Sequence, residues 1–245
     1  YIGNDPSSTT DNASDNVAVG TSALAVITTG DYNVAIGRFA LYNNTEGYSN
    51  TASGYAALNS NISGSLNTAS GYAALNSNTE GNKNTASGWG ALYSNISGSL
   101  NTASGHGALF SNTEGNKNTA SGYNALYNTK GSLNTAIGYD ALYNNTTGAY
   151  NTAIGNEALR YNTEGGYNTA IGYGADVNYP TAINQTVIGY DATGQSNNSV
   201  TLGNADVTRV YAAEDGDAVL YANGTIITSD ARLKENIKSL THGLD

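Results

Sequence analysis

The residues best placed to do chemistry are aromatic, and they return at a fixed interval. Tyr55, Tyr72, Trp89, Tyr123 and Tyr139 lie on one such series, which Tyr173 and Tyr190 continue. A second series holds Tyr42, Tyr93, Phe110, Tyr127 and Tyr143. Rows of surface rings can stack on the faces of sugars, which makes the first five candidate ligand-binding residues and a cell-surface carbohydrate their candidate partner. The same rows equally suit ladder packing that shields the edges of a stacked β-structure. His106 falls on the first series and reads as one more rung, since a zinc site wants three or four neighbouring His or Cys donors and the chain has no cysteine. Glu214, Asp215 and Asp217 around Gly216 offer the oxygens that calcium takes, but their pattern is that of a solvated turn. No metal or cofactor is expected. Glycan hydrolysis needs a pair of carboxylates across a shaped site, whereas Glu46, Glu80, Glu114 and Glu164 are solitary turn residues. The Asn-x-Ser/Thr triplets at Asn61, Asn95, Asn145 and Asn223 read as accidents of an Asn- and Thr-rich repeat.

The elements that must position these side chains are copies of one unit. Registered on the first residue of NTASGYAALNSNISGSL, residues 50–66, the copies begin at Asn16, Asn33, Asn50, Asn67, Asn84, Asn101, Asn118, Asn134, Asn151, Asn168, Gln185 and Ser199. Of the eleven steps between these twelve starts, nine are of 17 residues, one of 16 and one of 14. So strict a short period means a stacked array. Glycine holds the fifth position in every copy, alanine the third in ten, and leucine the ninth from Leu24 through Leu159. A second glycine ends the polar turn, as in Thr45-Glu46-Gly47. Two glycine corners and β-type NTAIG runs describe one coil of a parallel β-solenoid, not a helix pair. Twelve rungs at about 4.8 Å give a shaft of roughly 55 to 60 Å.

Positions two and four of a strand point the same way. The central copies place Thr there with Ser53, Ser70, Ser87, Ser104 and Ser121, whereas outer copies place Ile137, Ile154, Ile171 and Ile188 at position four. That face cannot be a dry core throughout. The row Thr51, Thr68, Thr85, Thr102, Thr119, Thr135, Thr152 and Thr169 also suggests an ice-binding solenoid, although no second Thr stands two residues on.

Composition narrows the class further. The chain has 245 residues, 30 Gly, 2 Pro, 19 Tyr and 11% charged residues, a usage unlike an average enzyme and too apolar and too periodic for disorder. Its net charge is −10, and 16 of its 19 acidic but only 6 of its 9 basic residues precede Ser229. Nucleic acid is an unsuitable partner for such a surface. The longest apolar run, from Ala23 to Ile27, is far short of the roughly 20 residues that cross a bilayer, so no membrane insertion is expected. The chain has no methionine and shows no signal peptide, from which a start inside a longer product is expected.

The division expected is a lead at 1–15, the array at 16–205, a β-neck at 206–228 with strand-like runs VTRVYA and AVLYA, and a helical segment at 229–245. Leu233, Ile237, Leu240 and Leu244 recur at steps of four, three and four, a stripe on which three helices can pack. Energetics also favour association. Burying Leu58, Ile62 and Leu66 of one coil is worth about 5 to 8 kcal/mol. Ordering the coil's backbone costs roughly 17 to 34 kcal/mol.

The NVAIG and NTAIG strands, with a glycine-cornered turn in each coil, resemble the head domain of YadA-type trimeric adhesins. The longer NTAIGYxAL form is similar to repeats of tail-fibre-like proteins. The resemblance covers residues 16 to about 203 and implies a left-handed parallel β-roll built as a homotrimer; the YadA coil is shorter than the one here. A second resemblance lies in Ala222-Asn223-Gly224 followed by Thr228-Ser229-Asp230-Ala231-Arg232-Leu233-Lys234-Glu235-Asn236-Ile237. It looks like the entry to the intramolecular chaperone of phage tail spikes and endosialidases, which trimerises a β-fibre and then cuts itself off. That resemblance implies cleavage between Ser229 and Asp230, with Ser229 as nucleophile and Lys234 as its base. A lysine serves as base only when desolvation lowers its pKa, which trimerisation would supply. The alternative is that the motif serves only to start a trimerising helix. The reading reached is a structural trimeric fibre, of tail-fibre or cell-surface adhesin type, at the virion surface or outside the cell and in contact with glycans. An ice-binding solenoid or a filament subunit without a receptor are the alternatives, and no enzyme is expected apart from single-turnover self-cleavage.

Overall fold

The computed structural model describes residues 2–3 and 13–210. The neck beyond 210 and the helical segment at 229–245, with Ser229, Asp230 and Lys234, lie outside the described residues. So do Glu214, Asp215, Asp217 and Asn223.

Among the described residues thirteen short strands form one all-parallel sheet in chain order, from Ile2–Gly3 and Val17–Gly20 through Thr51–Ser53 to Gln185–Ile188 and Ser199–Leu202. The register is that of the repeat: Thr51 faces Thr68, Ala52 faces Ala69 and Ser53 faces Ser70. The chain is therefore a parallel β-solenoid of about eleven turns. The count is one below the number of sequence copies because the last copy, from Ser199, adds a strand without a further full turn. At the other end Ile2 and Gly3 pair with Val19 and Gly20, seventeen residues on, so the period extends into the first residues of the chain. The array closes at Asp206, where the chain divides into two units.

Hydrogen bonds between coils are not confined to the strands. The Leu58 N–H donates to the Ala74 carbonyl (3.0 Å), Ser60 to Asn76 (2.9 Å), and Ala56 to Arg38 (2.9 Å). At the polar turn three successive donors, Thr45, Glu46 and Gly47, converge on the Ile62 carbonyl at 2.9–3.2 Å. Every part of a coil is thus tied to its neighbours. Pro180 sits where other coils place Ile, Thr or, once, Lys130. It accepts the same three bonds from Thr163, Glu164 and Gly165, but having no N–H it cannot pass that ladder on.

Burial alternates along each strand, so that Ala52 is buried between exposed Thr51 and Ser53. The core is a column of Ala and Leu in which each ninth-position leucine, from Leu24 to Leu159, has no accessible surface. Ile62 and Leu66, expected inside, are instead 47% and 46% exposed. The reason is that the coil is too narrow to fold the turn side chains inward: its centre is filled by one leucine, two alanines and two asparagines. The large apolar content of a single coil is one leucine, less than the sequence alone suggests.

The two glycines of the repeat serve different needs. Gly54 has φ +140°, and a Cβ there would run into the Gly71 carbonyl. Gly64 does not adopt a positive φ; it is required because a Cβ would collide with the Asn61 side chain and the Gly81 carbonyl. The remaining corners use left-handed backbone at residues that are not glycine, such as Ala56 (φ 52°), Leu58 (φ 50°) and Leu66 (φ 61°). Each costs about 1 to 2 kcal/mol against an ordinary conformation. Stacking of every coil on an identical neighbour offsets that cost.

Candidate functional site

Positions one and twelve of the coil, asparagine in most copies, carry the feature that sequence reasoning missed. Both point inward and are fully buried. Asn61 Nδ2 donates to Asn44 Oδ1 of the preceding coil (2.6 Å) and to the Gly64 carbonyl of its own turn (2.7 Å). Asn50 Nδ2 reaches that same carbonyl (2.8 Å), and Asn50 Oδ1 accepts the Asn67 N–H (3.0 Å). Two stacked carboxamide ladders therefore meet at one glycine carbonyl in each coil and satisfy polar groups that the narrow core cannot leave to water. The recurrence of Asn next to an alternating β-segment was the available signal. It also explains the Asn-x-Ser/Thr triplets: Asn61, Asn95 and Asn145 are buried rungs, with no side chain presented to a modifying enzyme.

The first aromatic series is a true ladder. Rings of Tyr55, Tyr72, Trp89, His106, Tyr123 and Tyr139 stack in turn at centroid distances of 5.1, 6.2, 4.6, 4.9 and 5.2 Å, with planes within 13° of parallel. Asn156 interrupts it before Tyr173 stacks on Tyr190 (5.4 Å). The five candidate ligand-binding residues are thus brought together, with His106 as the rung between Trp89 and Tyr123. Their faces meet one another, which leaves edges and hydroxyls toward solvent. Sugar stacking needs an open ring face, so the interior rungs are not where it would happen.

The second series is interrupted. Tyr93, Phe110, Tyr127 and Tyr143 stack at 5.0, 5.0 and 5.3 Å, and burial pushes the Tyr127 hydroxyl above its ordinary pKa, with Tyr143 and Tyr123 adding to the shift. Between Tyr42 and Tyr93 the position is held by Asn59 and Asn76. A groove of about 450 Å³ opens there, floored by Ala56 and Ala73.

Two further surfaces matter. On the sheet's outer face the hydroxyls of Thr51, Ser53 and their counterparts through Thr119 and Ser121 stand in register and exposed. Toward the C-terminal end the same face carries Ile137, Ile154, Ile171, Ile188 and Leu202, paired rung to rung and 38–50% exposed. In the closing coils Asp176 replaces the core leucine. It accepts the Tyr161 N–H (2.9 Å) and its neighbour Val177 N–H (2.8 Å), yet burial outweighs these bonds and raises its pKa to about 6.

Glu46, Glu80, Glu114 and Glu164 stand exposed on turns two or three coils apart. Among the described residues no three His, Cys, Asp or Glu side chains gather as a metal site would require. No family model matches the chain, and neither does a curated protein or a solved structure.

Proposed function

We propose that the chain is the shaft of a homotrimeric fibre of the tail-fibre or adhesin type, acting as a rod at the virion or cell surface and contacting glycans. The observation that carries this reading is the exposed aliphatic row from Ile137 through Leu202. Soluble chains rarely leave a contiguous, flat apolar strip in solvent. Here the strip continues a sheet whose own interior supplies only one leucine per coil. Burying five such side chains contributes on the order of 5 to 10 kcal/mol per chain at about 25 cal/mol per Å². That supplies what the thin core lacks. Copies of the same chain are the simplest complement, since each presents the same periodic strip. The left-handed β-roll and the self-cleaving C-terminal entry belong to the same proposal and draw on the resemblances in sequence.

The test is a double variant, Ile154→Asp with Ile171→Asp. Neither side chain enters the coil interior, so a structural defect within the chain is not expected. Loss of the assembled state with retained β circular dichroism supports the proposal; unchanged sedimentation speaks against it.

A second reading is favoured by a separate observation. Ten hydroxyls from Thr51 to Ser121 have no hydrogen-bond partner among the described residues and form a flat two-column lattice, with rungs about 4.8 Å apart. Such a lattice is what an ice-binding face requires. Measurable thermal hysteresis from the purified chain would move the assignment to that reading.

A further inference from the structure

We infer that the interruption of the second aromatic row is a binding site for a neutral saccharide. Tyr93 stacks on Phe110 on one side only (5.0 Å, planes within 7°), and its other ring face borders the groove, because the preceding rungs are Asn76 and Asn59. Tyr42 bounds the far end, held edge-on to Phe39 at 5.8 Å. Tyr42 and Tyr93 are three rungs apart, about 14 Å, which leaves space for one or two pyranose rings. The stacked rings of Tyr55 and Tyr72 form one wall, and the small side chains of Ala56 and Ala73 keep the floor low.

The polar groups fit the same ligand. Asn59 Nδ2 donates to the Phe39 carbonyl (3.1 Å) and Asn76 Nδ2 to the Ala56 carbonyl (3.1 Å). Each carboxamide is thereby fixed in orientation, and its Oδ1 has no partner among the described residues. Two preset acceptors beside an open aromatic face match sugar hydroxyls beside a sugar's C–H face. None of the lining residues is charged. The Arg38 guanidinium lies over the Phe39 ring (4.6 Å) but does not line the groove, so an acidic sugar or a phosphate finds no direct ionic partner among the lining residues.

The site deepens the glycan-contacting part of the fibre reading and rests on it for its biological setting, but its geometry lies within one chain. Its test uses the full chain on an array of neutral, sialylated and sulfated oligosaccharides, followed by titration with the best neutral binder. Two variants accompany it. Asn76→Tyr extends the ladder into the groove and restores a rung that other copies already contain, so folding is retained. Glu114→Ala changes an exposed turn side chain outside the groove lining. Binding of neutral oligosaccharides by the parent and by Glu114→Ala, with a loss of roughly tenfold or more in Asn76→Tyr, is the expected result. Binding confined to charged glycans, binding undiminished in Asn76→Tyr, or no binding at all overturns the site. Sedimentation of the same samples separates the two proposals: trimers without binding remove the site alone, and monomers that bind remove the fibre alone.

Discussion

The central coils and the closing coils share a backbone path but are held together differently. From Asn50 to Asn112 each coil contributes one buried leucine and two buried asparagines; the twelfth-position amide donates to its counterpart in the preceding coil, and the strand asparagine's oxygen accepts the backbone N–H of its counterpart in the next. Beyond Gly172 the leucine becomes Asp176, the inner asparagine becomes exposed Tyr179, and the strand asparagine becomes Gln185. There the polar groups pair locally, Gln185 Nε2 with Asn178 Oδ1 (2.7 Å) and Asp176 with backbone N–H groups. A side-chain ladder demands identity from coil to coil, and its last rung has no successor. The sequence must therefore change where the ladder stops. The opposite end shows the same rule with an apolar solution: Ile27 takes the place of the inner asparagine before Asn44 starts that ladder. Capping units that differ from the repeats they close are expected of any stacked array.

This contrast is broken most strongly by Leu92→Ala. A cavity in the central column should cost about 2 to 5 kcal/mol per chain and lower the denaturation midpoint accordingly. Asp176→Ala at the equivalent position of the closing coils should cost far less. Equal shifts would mean that the ninth position has the same role throughout.

The next largest effect depends on pH. The folded pKa of Asp176, about 6, lies above the ordinary carboxyl value of 3.8, so the folded chain holds this proton more tightly than the unfolded chain. The associated stability is fully present below the unfolded value and is lost as pH rises through about 6. It amounts to roughly 3 kcal/mol at about 1.36 kcal/mol per unit. Hydrogen exchange at the Tyr161 amide should accelerate between pH 4 and 7 beyond its intrinsic rate, and Asp176→Asn should abolish that extra dependence. Central amides, such as that of Leu92, should not show it.

A smaller change sharpens the comparison inside the ladder itself. The one 16-residue step replaces the inner asparagine with Thr129, whose Oγ1 accepts from Asn145 (3.0 Å). Asn112 Oδ1 is consequently buried with no partner among the described residues. Restoring the full turn, with Thr129→Asn and one residue inserted after it, should stabilise the chain by about 1 to 3 kcal/mol. No gain in thermal midpoint would mean that the ladder tolerates a fault without cost. The smallest effect is expected at the turns, where Glu80→Ala should change stability by less than about 0.5 kcal/mol.

The period, the strand positions and the buried leucines were legible because each depends on local pattern: glycine at a fixed place, alternation, and one large apolar residue per coil. The asparagine ladders were not, because Asn61 looks like any turn residue until Asn44 and Asn78 are stacked on either side of it. Ile62 and Leu66 misled for a related reason. Hydrophobicity says what gains from burial, but the width of the coil decides what fits. The aromatic rows were visible in spacing, whereas the direction of their faces, and the groove left by Asn59 and Asn76, depend on the backbone that carries them.

The fibre account is tested most directly by sedimentation equilibrium of the intact chain under non-denaturing conditions. It predicts a single species of three chains, three times 25.1 kDa. A stable species of 25.1 kDa that keeps its β circular dichroism would contradict it.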